Sequence, residues 1–424
     1  MREVSAATLG IALFAIVMPE SVADARQFSY VRIVDTDSPV PEGSGAFGGT
    51  GGSVFASVNI SDGNVVFAGD SGIGWGVYEY AGGVGMLVVR SGMPLPGANG
   101  QTFAYVDAPG VQADGSNVVF HGFGQTVSGI YSQFGPALGL IADTTMTPAG
   151  ATGPFRQFGR FMALEKTTTV FNATTGPSSL SGLYARDNNV LATIADTSTQ
   201  IPEGPGTFTF LYNPDIANGD IYFGGTRLAG QTYFVGVFKS SFGVLSRIVS
   251  TGDIEPRGMG TFVDATMMSA DASSVLFRGD NSQNFATGLY RITGDTVSFI
   301  ADTNTPAPGT GSMFRGFAFG DIEDGKAVFV DDLLHAVFTD ASGTLEKIVG
   351  PGDLVDGRIV REAYFTPGGR DGNQVAVSII FTTDTFMNPD QGVYVFTIPA
   401  PHSAAVVGAF GVVACRQRRP SARR

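Results

Sequence analysis

The sequence predicts an all-β fold, a seven-bladed β-propeller closed by an N-terminal Velcro strand. Three observations lead there. One phrase recurs seven times, at successive intervals of 55, 53, 53, 54, 52 and 48 residues between Ile33, Val88, Ile141, Ile194, Ile248, Ile300 and Ile348. Each copy holds four short strand-like runs. The first and last copies are incomplete in complementary ways. Internal repeats of this length mark stacked or circular architectures, and four strands in 48–55 residues is the size of one propeller blade. A β-helix has much shorter rungs, and a β-sandwich has no reason to repeat itself seven times.

Four landmarks fix the register. The first is the apolar position just named, which precedes an Asp-Thr or similar turn. The second is an aromatic ending a Pro/Gly-rich loop: Phe47, Phe103, Phe155, Phe208, Phe262 and Phe314, with none in the seventh copy. The third ends an apolar run: Phe67, Phe120, Phe171, Phe223, Phe277, Phe329 and Val377. The fourth is a Gly-apolar-aromatic triplet, as in Gly76-Val77-Tyr78 and Gly392-Val393-Tyr394, with Ala336 in place of Gly in the sixth copy. Runs rich in Val, Ile, Phe, Tyr and Thr, bounded by Gly, Pro, Asn, Asp and Ser, read as strands. Repeats start near residues 31, 86, 138, 191, 245, 297 and 345.

Strand order follows from loop length. The long loop from Asp-Thr to the aromatic, as in 36–46 and 303–313, is the longest fixed-length connection. Neighbouring strands of one blade need only short hairpins. The long loop therefore crosses from the outer strand of one blade to the inner strand of the next. Each blade runs aromatic, VVF-type, GVY-type, LxxIADT-type. The seventh copy supplies three strands, near 359–365, 374–380 and 392–398, and lacks the fourth. An orphan strand of that type stands at 30–34. Pairing the two closes the ring and removes the open sheet edges.

The ring takes residues 26–398 of 424 as one unit. With 43% hydrophobic residues and 33 Phe, the chain has ample material for the faces between blades. The net charge is −13 overall, and −16 over residues 26–398, with 19 Lys+Arg against 35 Asp+Glu. That acidity argues against nucleic acid, whose phosphates need basic patches, and against docking on anionic membranes. The single cysteine, Cys415, lies in the C-terminal tail, so the body has neither disulfides nor thiol chemistry.

The two ends predict export. Residues 6–18 are an apolar run of signal-peptide length, and Ala23-Asp24-Ala25 fits small-x-small cleavage, giving a signal peptide of residues 1–25. An uncleaved N-terminal anchor is the alternative. The C-terminal segment 399–424 opens with Pro399-Ala400-Pro401, continues in an apolar run over 404–415, and ends in five arginines. A short motif, a marginal apolar helix and a basic stop is the layout of a sorting tail, with the arginines on the cytoplasmic side.

This tail resembles a PEP-CTERM sorting signal of Gram-negative bacteria in its Pro-Ala-Pro variant, with Ala400 where the motif has Glu. The resemblance implies an exosortase-type processing enzyme as partner, a transmembrane helix confined to the tail, and delivery to the exterior or outer cell surface. A retained membrane anchor is the other reading. The body resembles the choice-of-anchor tandem-repeat proteins whose repeat is written NxxGxxAF. The runs that carry the likeness are Ile60-x-x-Gly63-x-x-Val66-Phe67, Ile216-x-x-Gly219-x-x-Tyr222-Phe223 and Ile322-x-x-Gly325-x-x-Val328-Phe329, together with the DTxTPxPGxGxF loop. That resemblance implies location and architecture and no activity.

Chemistry is sparse. Asp35, Asp143, Asp196 and Asp302 recur before the loop. Turn chemistry explains them, since Asp and Thr side chains bond nearby amides. A ring of carboxylates holding cations is the sharper reading, but calcium sites gather several carboxylates close in sequence. Ser61-Asp62-Gly63 and Glu323-Asp324-Gly325 read as β-turns, and Asp331-Asp332 breaks a strand pattern. Trp75 is either a sugar-stacking platform or a blade-edge packing residue. His121, His335 and His402 are too few and too scattered for a metal site or a triad, and HExxH, GxSxG and CxxC are absent. No cofactor or metal is expected. The sequence predicts a structural or ligand-binding role toward an extracellular glycan or protein, with a glycan lyase or hydrolase as the alternative. Departures from the repeat decide between scaffold and site. Clustered at one mouth they mark a site, and scattered evenly they mark a scaffold.

Overall fold

The computed structural model describes residues 28–48, 54–98, 100–230, 232–331, 333–382 and 390–399. The signal-peptide segment with Ala23 and Ala25, and the tail from Ala400 through Pro401 to the arginines, lie outside the described residues. Pro399 is described and follows the last strand. Among the described residues no helix is long and apolar enough to cross a membrane.

Six four-stranded antiparallel sheets succeed one another at 55–90, 105–143, 155–196, 210–250, 262–302 and 319–349, each paired in chain order. The seventh takes Arg358–Tyr364, Gln374–Phe381 and Gln391–Thr397, and its fourth strand is the N-terminal Ser29–Asp35. Ser29 lies opposite Thr397 and Asp35 opposite Gly392. The chain is a seven-bladed propeller whose ends meet in one blade. First strands of successive blades contact one another and line the axis. The long loops between blades lie on one face, here the upper. The turns joining first to second strands lie on the lower.

Each of the first six blades is pinned by three aromatics, one from each of the last three landmarks. The loop aromatic meets the third-strand ring edge-on. Centroids are 4.9 Å apart for Phe47–Tyr78, 5.0 Å for Phe103–Tyr131, 4.9 Å for Phe155–Tyr184 and for Phe208–Phe238, 5.0 Å for Phe262–Tyr290 and 4.8 Å for Phe314–Phe338. The second-strand Phe stacks on that same ring, as in Phe67–Tyr78 at 5.9 Å. T-shaped and offset contacts suit the ring quadrupole. Phe47, Phe103, Phe208 and Phe314 belong to the loop, ahead of the strand that the sequence assigned them to, and only Phe155 and Phe262 lie inside a first strand. Blade seven substitutes Tyr30 and Phe381, both 5.9 Å from Tyr394.

The glycine of the fourth landmark is steric. A Cβ on Gly76 would meet the Val89 carbonyl at 2.9 Å and the Tyr78 ring at about the same range. In blade six the requirement moves across the ladder: Ala336 replaces the glycine, and Gly350 on the outer side makes room, its notional Cβ 2.5 Å from that of Ala336.

One device repeats at six of the seven lower junctions, and the junction of blades four and five keeps a variant of it within the strands. A side-chain oxygen at the end of one first strand accepts an amide at the lower turn of the next blade. Ser61 Oγ accepts Gly115 N at 2.8 Å, Asp114 accepts Lys166 N, and Glu165 accepts Asn218 N at 2.6 Å and Gly219 N at 2.8 Å. Asp215 then accepts Ala270 N at 2.7 Å, Asp271 accepts Gly325 N at 2.8 Å, Glu323 accepts Gly372 N at 2.6 Å, and Asp371 accepts Gly63 N at 3.1 Å, which closes the circle. The turns are of the type that hairpins favour, with Asp62-Gly63, Asn218-Gly219 and Asp324-Gly325 all at positive φ. These bonds stitch the blades, charge-assisted where the acceptor is an ionised carboxylate, and they use several of the acidic residues.

Candidate binding site in the axial channel

First strands bulge where they face the axis. The ladder to the second strand slips between Ala56 and Asn59, Val106 and Val111, Phe158 and Met162, and Tyr212 and Asp215. A bulge leaves extra residues unpaired and bends the strand. The price in backbone strain appears at Ser57 and Asn213, non-glycine residues at φ 47° and 46°. Arg160 and Phe161, extra residues of the blade-three bulge, line the channel.

Blade seven departs furthest. Its first strand stops at Tyr364, and pairing resumes at Arg370. The intervening segment enters the channel. Gly368 O accepts Ile60 N at 2.9 Å, Gly368 N donates to Asp321 Oδ2 at 3.0 Å, Pro367 O accepts Gln112 Nε2 at 3.1 Å, and Thr366 Oγ1 donates to Val58 O at 3.0 Å. Residues 366–368 thus tie blades one, two, six and seven together across the channel. Gly368 is required there: its φ is +82°, and a Cβ would lie 2.2 Å from Asn59 Oδ1. Above this plug, Phe161 of blade three meets Phe319 of blade six at 5.8 Å.

The plug and the aromatic bridge divide the channel. A small lobe of about 50 Å³ lies toward blades four and five. The larger lobe is a cavity of about 610 Å³, open to the upper face, with walls from blades one, two, three, six and seven. Phe55, Val58, Phe161, Phe319, Pro367 and Ile380 supply apolar wall. Arg160, Arg361, Glu362 and Tyr364 supply the polar part. Arg361 Nε donates to Glu362 Oε1 at 3.1 Å, and Tyr364 Oη donates to Glu362 Oε2. Burial and the Glu362 carboxylate push the Tyr364 phenol up to about 12. His335, at φ 51° on the upper hairpin of blade six, lies 6.0 Å from the Tyr364 ring, and its Nδ1 has no partner among the described residues. Arg160 is exposed and makes no ion pair with a described residue.

Below the plug, Asp215 of blade four and Asp321 of blade six flank Ser269 of blade five, whose hydroxyl donates to Asp321 Oδ1 at 2.8 Å. Burial, then repulsion from Asp321, pushes the Asp215 carboxyl up to about 7. Burial also raises Asp321. Among the described residues no group of three or more His, Cys, Asp or Glu side chains is arranged to hold a metal.

The sequence candidates lie elsewhere. Asp35, Asp143, Asp196 and Asp302 end outer strands, in four different blades, and are not brought together. Asp35 accepts Ser38 Oγ at 2.7 Å, Asp143 accepts Thr145 N at 2.9 Å, Asp196 accepts Ser198 N at 2.8 Å, and Asp302 accepts Asn304 N at 3.0 Å. Trp75 opens a third strand and packs into the core between blades one and two, outside the channel. Asp331 is fully buried, accepting amides of Leu333, Leu334 and Arg315. His121 is buried beside Asp107, its Nδ1 3.5 Å from Oδ2. The residues at the mouth were missed because first strands are the loosest part of the repeat. The available signal was the seventh copy, with its short interval and missing aromatic.

The geometry defines a propeller with a blind, aromatic-walled axial pocket. The chain belongs to the Family of unknown function (DUF7453), whose model matches residues 26–405. No curated protein matches it. Among solved structures it is similar to polysaccharide lyase Uly1, with 8% identity over 88% of this chain and 100% of that one and a TM-score of 0.48. It is also similar to prolyl endopeptidases, with 11% identity over 82% of this chain and 48% of theirs and a TM-score of 0.45. The extracellular domains 1–2 of Drosophila Semaphorin 1a match with 8% identity over 87% and 88% and a TM-score of 0.37. Likenesses this distant carry no functional argument.

Proposed function

We propose that this protein is a secreted or surface-held binding propeller that engages an extracellular partner, a glycan or a protein, through the upper mouth of its channel. The observation that carries the reading is where the repeat is broken. Arg160, Phe161, Phe319, Arg361, Glu362 and Tyr364 gather around one cavity of about 610 Å³, a size typical of ligand sites. Exposed apolar side chains stud the same face, including Ile73, Phe285 and Leu333 on upper hairpins. Location rests on the sequence of the two ends: the apolar run with Ala23 and Ala25 for export, and the tail from Pro399 and Pro401 for sorting by an exosortase-type enzyme.

A second reading, an extracellular lyase or hydrolase, draws on one observation. The Tyr364 phenol donates to Glu362 inside the pocket, a pair able to carry a proton. The raised pKa keeps the phenol protonated at neutral pH, so its part is that of a hydrogen-bond donor to Glu362 and to a substrate oxygen. The test is binding of the purified protein to glycan and peptide arrays, set beside Ala56→Phe, which fills the pocket. Loss of the hits in the filled variant supports the site, and hits that survive filling sink it. Substrate cleavage abolished by Tyr364→Phe would transfer the assignment to the second reading.

A further inference from the structure

We propose that the pocket takes an amphiphilic acid, a ligand with an apolar body and one anionic head such as a carboxylate. This rests on the reading above that the pocket is the binding site, and it narrows the chemistry.

Most of the polar atoms near the floor are already consumed. Thr366 Oγ1, Pro367 O and both backbone groups of Gly368 are bonded to the protein, and Ser378 Oγ accepts Gln391 Nε2 at 2.8 Å. A sugar pushed into this lobe would leave hydroxyls unpaired against Phe55, Phe161, Phe319 and Ile380, which is costly. Water gains little in such a lobe for the same reason. An alkyl or aryl body loses nothing there and gains the burial of its own apolar surface.

The charge at the mouth completes the description. Arg361 is neutralised by Glu362, whose other oxygen accepts Tyr364. That leaves Arg160 as a cation without an ion-pair partner among the described residues, on the same bulge as Phe161. In a chain of net charge −13 a free guanidinium at the rim of an apolar cavity is a local reversal of sign. A carboxylate head at Arg160 with its body along Phe161 and Phe319 satisfies both features, and a guanidinium fork matches a carboxylate in two bonds.

The experiment is calorimetric titration of the purified full chain with decanoate, with 1-decanol as its neutral twin and an acidic disaccharide as its polar twin. Decanoate is expected to bind once per chain and more tightly than decanol. Arg160→Gln is expected to weaken decanoate about tenfold to a hundredfold and leave decanol unchanged. Arg160→Lys should recover part of the loss. Arg156→Gln, on the same strand but outside the pocket, should change nothing. Equal binding of decanoate and decanol, or no binding of decanoate, overturns the proposal. If the disaccharide binds and Ala56→Phe abolishes it while decanoate fails, the pocket reading stands and this narrowing falls. If no ligand of any class responds to Ala56→Phe, both fall.

Discussion

The lower rim and the upper mouth of this ring are cut from the same seven first strands, yet they obey different rules. At the rim six of the seven junctions are made alike, a side-chain oxygen of one blade accepting an amide at the next lower turn, from Ser61 and Gly115 around to Asp371 and Gly63, and the remaining one, Asp215 to Ala270, makes the same kind of bond within the strands. At the mouth no two blades present the same side chains: Ala56 and Ser57 in blade one, Arg160 and Phe161 in blade three, Phe319 in blade six, and Arg361, Glu362 and Tyr364 in blade seven. Repetition serves the ring, where any blade left unstitched opens an edge. Individuality serves a ligand, which meets all the blades at once and reads each differently. A closed ring holds its shape however the mouth varies, so the mouth is free to specialise.

The comparison is broken hardest at the plug, which joins the two regions. Gly368→Val places a side chain on Asn59 Oδ1 and Gln112 Oε1 at a backbone angle that valine rejects. It should cost about 3 kcal/mol or more in denaturant unfolding and abolish ligand binding as the floor is displaced. Unchanged stability would show that the segment does not bridge the blades.

Next in size is a pH effect centred on Asp215, which belongs both to the rim, through Ala270, and to the channel. Its carboxyl titrates near 7 in the fold and near 3.8 when unfolded. Between those values the folded state holds the extra proton, so stability falls as pH rises from about 4 to 7 and then levels off. The loss is about 1.4 kcal/mol per pH unit across that window, a few kcal/mol in all, visible as a falling Tm between about pH 4 and 7, and Asp215→Asn should flatten it. A level profile in the unmodified protein would contradict the burial of this group.

The rim and the mouth should then separate cleanly. Glu165→Ala removes the acceptor for two turn amides and should cost about 1 kcal/mol of stability, with ligand affinity untouched. Arg160→Gln should do the reverse, shifting stability by less than about 0.5 kcal/mol while weakening the ligand. Parallel effects of the two substitutions on both measurements would erase the distinction.

Architecture was legible in the sequence because it is periodic. Seven spacings, four landmarks and one orphan strand determine blade count, strand order and closure, and Ser29–Asp35 pairs with the last strand as the count requires. Turn residues were legible for the same reason: Asp35 and its equivalents sit at fixed offsets and bond amides two residues on. The mouth was not legible. Its residues lie on bulges, where one to several extra residues change which side chain faces the axis, and a bulge leaves no mark in an alternating pattern. Nor does sequence spacing bring Phe161 to Phe319, since they meet only because blades three and six face each other across a ring. Tyr364 and His335 belong to consecutive blades, but their approach depends on a left-handed backbone at a histidine, which composition does not announce.

The most direct test of the claim that function resides in the upper mouth is a crystal structure of the protein purified from its natural host or grown with decanoate. The account predicts density for one bound molecule lying along Phe161 and Phe319, with its anionic end at Arg160. Density for a ligand on the outer strands or the lower rim, with the axial pocket holding only solvent, would contradict it.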